Sequence, residues 1–145
     1  MPTRVDGALL VLKYLTSVTA LMTEVSNRVY GPPLGVPSGI TAPCKFLRFA
    51  CDGGLGNPDV PMAAERFTFH CYGAVQIDAQ SVARVLCDAL QRKGRAEVTV
   101  STGVKNLLRR ADLEMGPADL PEPDTKWPRV ILAFRIVYGE WAVNW

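Results

Sequence analysis

Two segments in which large apolar side chains recur at every second position constrain the fold of this 145-residue chain most strongly. In residues 65–73, ERFTFHCYG, the side chains of Phe67, Phe69 and Cys71 alternate with Arg, Thr, His and Tyr, and residues 129–139, RVILAFRIVYG, repeat the pattern. Successive side chains of a β-strand point to opposite faces, so this period of two predicts strands buried on one face. The chain must therefore build a sheet with one face covered.

Helical periodicity supplies the elements that can cover this face. Between residues 5 and 22, apolar residues recur at steps of three or four, which predicts one amphipathic face. Residues 16–17, Thr and Ser, prefer helix caps, so we expect a helix to about residue 15 and a shorter one over about residues 18–25. A further helical stripe begins near Ile77 and ends at Gly94.

The other segments complete the predicted order of elements. Additional strands are predicted within residues 27–31, over residues 44–51, and over about residues 98–113 with a bulge or turn at Gly103. Loops are predicted at residues 31–43, 52–61 and 112–128. The first of these contains four prolines and three glycines, which exclude a regular element, and the third is rich in carboxylates and prolines.

The length and the element order point to one domain that spans residues 1–145. Hydrophobic residues make up 48% of the chain and charged residues 21%, a balance that favours a folded globular protein over a disordered one. The predicted fold class is α+β, with an antiparallel β-sheet packed against an N-terminal helix and a central helix.

The charge and the distribution of apolar residues exclude two classes of function. A net charge of +2, without a clustered basic excess, argues against direct recognition of DNA. The apolar run at residues 8–12 meets Lys13 far short of the roughly 20 residues that a bilayer span needs. Because Arg4 and Asp6 flank this run, it is also a poor secretory signal. We expect no membrane association and a cytoplasmic location.

His70 is the only histidine in the chain, so any catalytic or metal-binding histidine would have to be this residue. A Ser/His/Asp or Cys/His arrangement would have to be built around it, and nothing in the neighbouring sequence supports one. A lone histidine on the polar face of a strand is typical of a surface or interface residue. We therefore predict no catalytic residue. A small enzyme with a pocket around His70 or the acidic loop is the least favoured alternative.

The cysteines, carboxylates and glycines also lack the spacing of binding motifs. The four cysteines contain no CxxC pair, so neither a zinc site nor a disulfide is predicted. Five carboxylates between residues 112 and 124 lie among prolines without a second coordinating segment, which indicates a solvated loop. Residues 52–59, DGGLGNPD, lack the GxxxxGK[ST] order of a phosphate loop. We expect no metal and no cofactor.

The succession of these segments resembles the tail terminator, or tail completion, proteins of long-tailed bacteriophages. The resemblance covers roughly residues 7–138. It rests on residues 20–31 (ALMTEVSNRVYG), the proline-rich loop that follows, residues 65–73 with the helix 78–90 (DAQSVARVLCDAL), and the closing strand 129–139. These motifs are patterns of strand, helix and loop rather than catalytic signatures.

The resemblance implies a structural protein of the virion, located in the tail or neck and assembled in the host cytoplasm. Such a protein forms a hexameric ring that caps the tail tube, stops its polymerisation and joins the tail to the head connector. The implied partners are further copies of this chain, the tail tube protein and the connector or stopper protein. Genomic DNA passes through the lumen without specific binding. A head–tail stopper, or another neck or minor tail protein, is the alternative within the same class.

The polar face of the sheet and the aromatic tail are the candidate interface. A ring subunit shows one sheet face to its neighbours or to the lumen, while helices cover the other. The tail, residues 139–145, carries two tryptophans that need either the core or a partner. The predicted interface residues are Arg66, Thr68, His70, Tyr72, Arg129, Arg135, Trp141 and Trp145.

Overall fold

The computed structural model describes residues 6–56, 62–91, 96–101 and 104–139. Its helices and strands, in chain order, are α1 (Gly7–Thr16), α2 (Thr19–Val25), β1 (Val29–Tyr30), β2 (Phe46–Gly56), β3 (Met62–Tyr72), α3 (Gln76–Gln91), β4 (Ala96–Ser101), β5 (Val104–Asp119) and β6 (Arg129–Gly139).

The strands form one sheet in the order β1-β2-β3-β6-β5-β4. The five strands β2, β3, β6, β5 and β4 pair antiparallel with their neighbours in this order. The two-residue strand β1 pairs parallel with β2 at one edge of the sheet. Helix α3 packs on β3, β5 and β6 in the middle of the sheet. Helix α1 contacts β1 and β2 near one edge and β4 at the other, so the sheet curls around it. The predicted α+β class is confirmed.

The core lies between the helices and the inner face of the sheet. Phe67, Phe69 and Phe134 are fully buried there, and the rings of Phe69 and Phe134 meet edge to face with centroids 5.9 Å apart. The alternating residues within 65–73 and 129–139 therefore form strands with one face buried in the core, as the sequence predicts. From the helices, Leu15 and Leu86 are likewise fully buried against this aromatic layer.

The break between the first two helices lies where the sequence predicts it. Asp6 caps α1 by accepting hydrogen bonds from the backbone N–H groups of Ala8 and Leu9, and α1 ends at Thr16. In the described part of the chain, no single helix is long and apolar enough to cross a membrane. Helices α1 and α2 together reach the required length and composition, but an angle of 85° separates their axes.

Two predicted loops are shorter than expected, because backbone pairing continues through their glycines. The structure places residues 112–119 in β5, where they pair with β6, so the loop predicted at 112–128 starts only at residue 120. Register shifts on either side of Met115 absorb Gly116 and Pro117 in this strand. Likewise β2 continues to Gly56, past a bulge at Gly53, whose φ of +99° suits glycine.

The strand predicted over residues 98–113 is two strands. β4 and the first part of β5 pair antiparallel, with Ser101 opposite Val104. Gly103, where a bulge or turn is predicted, lies outside the described residues. The loop predicted at residues 31–43 falls in a stretch, residues 31–45, without a helix or strand. Of the predicted tail, Gly139 is the last residue of β6, and residues 140–145 lie outside the described residues.

A close approach at the first residue of α1 yields a testable prediction. A Cβ atom on Gly7 would lie 2.5 Å from the hydroxyl oxygen of Tyr138 and 2.9 Å from a carboxylate oxygen of Glu65. Tyr138 is buried and cannot swing away freely. We expect Gly7→Ala to destabilise the protein by about 1–3 kcal/mol despite the better helix propensity of alanine. Urea unfolding measures the effect.

The matched control for Gly7 is Gly31→Ala, where an added Cβ meets no atom within 4 Å. This substitution is expected to leave the unfolding midpoint within the change typical of a surface site, about 0.5 kcal/mol. Equal midpoints for the two variants would show that α1 does not press on Tyr138 as described.

Candidate interface surfaces

The outer face of the sheet carries charged side chains on its central strands. The pairing of β3 with β6 places Arg66 opposite Arg135, and both side chains are partly exposed. Asp52 lies 3.9 Å from Nε of Arg66 and accepts a hydrogen bond from the hydroxyl of Thr68. Arg135 donates to Glu114 of β5. Each arginine of this opposed pair therefore has its own carboxylate.

The carboxylate of Glu114 and the guanidinium of Arg135 stabilise each other's charged form. Their hydrogen bond lowers the pKa of Glu114 and raises that of Arg135. Both groups are in contact with solvent, so the pair contributes little to stability. A face with pre-arranged charges of both signs is better suited to orienting a charged partner than to holding the monomer together.

One end of the outer face is covered by the β5–β6 connection, residues 120–128. Glu122 of this connection accepts hydrogen bonds from the hydroxyl of Tyr72 at 2.8 Å and from Nη1 of Arg129 at 3.1 Å. Arg129 also donates through Nε to the carbonyl of Leu120 at 2.8 Å, and its Nη1 lies 3.5 Å from Nδ1 of His70. We call His70, Tyr72, Glu122 and Arg129 the covered cluster.

Burial sets the protonation states in the covered cluster. Loss of solvent, reinforced by the neighbouring guanidinium of Arg129, lowers the pKa of His70 to about 4. Burial and the hydrogen bond to Glu122 raise the pKa of Tyr72 to about 12. At neutral pH both rings are therefore uncharged, and the charges of Glu122 and Arg129 pair with each other.

The structure divides the predicted interface residues into three groups. Arg66, Thr68 and Arg135 are partly exposed on the open part of the outer face. His70, Tyr72 and Arg129 share that face, but they are buried beneath residues 120–128, so on this face the accessible residues of the predicted set are those of the first group. Trp141 and Trp145 lie outside the described residues.

Glu122 is the buried residue of this face that the sequence reasoning missed, besides the exposed carboxylates of Asp52 and Glu114. Its carboxylate was assigned to a solvated loop together with four others, whereas its residue is only 8% exposed. The connection turns back on itself through a hydrogen bond from the N–H of Lys126 to the carbonyl of Glu122, and this turn brings the carboxylate over Arg129. The sequence offers one signal for this contact: Glu122 lies seven positions before Arg129, the first residue of a predicted strand.

A groove lies on the helical side, between α3 and the end of β5. Its volume is about 440 Å³. The side-chain amide of Gln80 donates to the carboxylate of Asp119 across it at 3.1 Å. The residues that line it are Gln80, Ala83, Arg84, Cys87, Asp88, Pro117 and Asp119.

The thiols and carboxylates of the described residues do not form a metal centre. No group of three or more His, Cys, Asp or Glu side chains in this part of the chain could hold a metal ion. The four cysteines are free thiols. Cys51 donates to Glu65 at 2.7 Å, and burial together with this carboxylate raises its pKa to about 11. Burial also raises the pKa of Cys71, so neither thiol is an activated nucleophile at neutral pH.

The comparisons with known proteins identify a shared fold. No protein-family model matches the chain, and a search of curated proteins gives no significant match. Among solved structures, the chain is similar to a chain in the virion of a native gene transfer agent (GTA) particle, with a TM-score of 0.63 and 16% sequence identity. The alignment covers 94% of this chain and 95% of that chain. The two chains therefore share one fold over nearly their whole lengths.

Proposed function

We propose that this chain is a structural subunit of a phage-like virion, and more specifically a tail terminator. The observation that carries the proposal is the fold shared over almost the entire length of a virion chain. Fold alone does not define function, so the surfaces matter as well. The charged groups of the outer face are paired with one another, and the lone histidine is buried and uncharged, an arrangement suited to assembly rather than catalysis.

In this role, six copies close into a ring that caps the tail tube and joins it to the head connector. A ring that ends a six-fold tube must match its symmetry, and ring closure also covers exposed strand edges. The open part of the outer face, with Arg66, Thr68 and Arg135, faces a neighbouring copy or the lumen. The net charge of +2 suits a lumen through which DNA slides without tight attachment.

Deletion of the coding sequence in a particle-producing host tests the terminator role. Because the cap stops tube polymerisation, we expect tails of abnormal and variable length beside unjoined heads in electron micrographs. Complementation with the intact coding sequence is the control and should restore uniform tails. Tails of normal length beside unjoined heads would favour the head–tail stopper instead. Normal particles would contradict both roles.

A further inference from the structure

We propose that residues 140–145 of one copy bind in the groove between α3 and β5 of the neighbouring copy. The occupant is this chain's own aromatic segment, EWAVNW, supplied in trans. The inference rests on the proposed ring and names the contact that would link its subunits.

The groove has the chemistry that an indole ring requires. Ala83, Cys87 and Pro117 offer apolar surface, and Arg84 offers a guanidinium that can stack on an aromatic face. The carboxylate of Asp119 is an acceptor for an indole N–H, which is a donor only. A volume of about 440 Å³ lies within the usual range for pockets that hold a small ligand, about 300–1,000 Å³.

Exposed apolar side chains lie close in the chain to residues that line this groove. Among the described residues, the large hydrophobic side chains with the greatest exposed fractions are Ile77 at 70%, Val75 at 55% and Leu120 at 50%. Ile77 lies one helical turn before Gln80 on the same face of α3, and Leu120 follows Asp119 in the chain. Exposed apolar side chains near a groove are typical of a protein contact.

The tail begins far from the Asp119 end of its own groove, which favours a neighbouring copy as the source of the segment bound there. Asp119 pairs with Val130 at the start of β6, whereas the tail begins after Gly139 at the opposite end of that strand. Nine residues of strand separate these ends by about 30 Å. Trp141 lies two residues beyond Gly139, a reach of about 7 Å, and Trp145 lies six residues beyond it, a reach of about 20 Å at full extension.

This placement produces a head-to-tail contact between copies. The aromatic segment follows Gly139 at one end of β6, and Asp119 of the groove pairs at the other end of that strand. Two different surfaces that complement each other make a heterologous interface, and repetition of such an interface forms a ring when the rotation between copies closes. Two tryptophans in a lined groove would form the buried aromatic anchor of that interface.

A disulfide between copies tests this contact in the intact chain. Cys87 lines the groove and is a free thiol, and Asn144→Cys places a second thiol in the tail while keeping both tryptophans. After mild oxidation of assembled particles and of concentrated purified protein, we expect a covalent dimer on a non-reducing gel. Peptide mapping should locate its bond between positions 87 and 144.

Two matched variants control the experiment. Asn144→Cys with Cys87→Ser should lose the dimer, and Asn144→Cys with Trp141→Ala and Trp145→Ala should reduce its yield at least about tenfold. A bond within one chain, a bond to Cys44 or Cys51, or no bond in particles that contain the protein would overturn the inference. Absence of the protein from the particles would instead refute the proposed function, so the two failures are distinguishable.

Discussion

Replacement of Arg129 by alanine is expected to lower the free energy of unfolding by about 3–5 kcal/mol. Arg129 is 8% exposed and holds the buried carboxylate of Glu122 at 3.1 Å, so its removal leaves that carboxylate without its counter-charge. The substitution also removes the donor that anchors the carbonyl of Leu120. The connection over residues 120–128 should then separate from the outer face, which chemical denaturation and amide exchange at Lys126 would both detect.

Arg135→Ala is the matched control for Arg129. Arg135 lies on the same strand and the same face, and it also pairs with a glutamate, but its side chain is 39% exposed. We expect it to lose at most about 1 kcal/mol. A double variant, Arg129→Met with Glu122→Leu, should recover much of the lost stability, because neither charge remains buried. Equal losses for Arg129→Ala and Arg135→Ala would contradict the described burial of the cluster.

The stability of the protein is expected to fall by about 2 kcal/mol between pH 7 and pH 5, because His70 resists protonation in the folded state. Its pKa is lowered from the ordinary value of 6.5 to about 4 by burial and by Arg129. Over this window the unfolded chain binds a proton that the folded chain does not, so acid favours unfolding. The stability is fully present above pH 6.5 and is lost as the pH falls toward 4.

Urea unfolding at several pH values measures this dependence. His70 is the only histidine, so few other groups titrate between pH 5 and pH 7. His70→Gln keeps a polar side chain without the titration and should give a nearly flat profile over the same range. A wild-type profile as flat as that of the variant would show that solvent reaches the imidazole, and the burial of His70 under residues 120–128 would then be wrong.

The alternating strands could be predicted from the sequence because their signal is local. In residues 65–73 and 129–139, apolar side chains recur with a period of two, which indicates a half-buried strand. Both strands lie at the centre of the sheet. The strand at residues 112–119 was missed, because Gly116 and Pro117 are local signals for a loop. Backbone pairing with β6, with bulges that accommodate both residues, overrides that signal.

The polar face of the sheet was predicted correctly, but not its covering. Whether His70 and Arg129 are exposed depends on where residues 120–128 lie. That placement arises from contacts of Glu122 with Tyr72 and Arg129 and of Arg129 with the carbonyl of Leu120. The periodicity of apolar residues in the sequence does not indicate contacts of this kind. The groove between α3 and β5 was missed for the same reason, since Gln80 and Asp119 meet only in the folded chain.

A reconstruction of the particle by electron cryomicroscopy without imposed symmetry would show whether this chain is a ring-forming subunit of a virion, as we propose. The proposed ring predicts six copies of this fold in a closed ring where the tail meets the head, with β6 of each copy directed toward the groove of the neighbour that binds its residues 140–145. Particles in which the fold is absent from this junction, or forms a ring of another symmetry there, would contradict it.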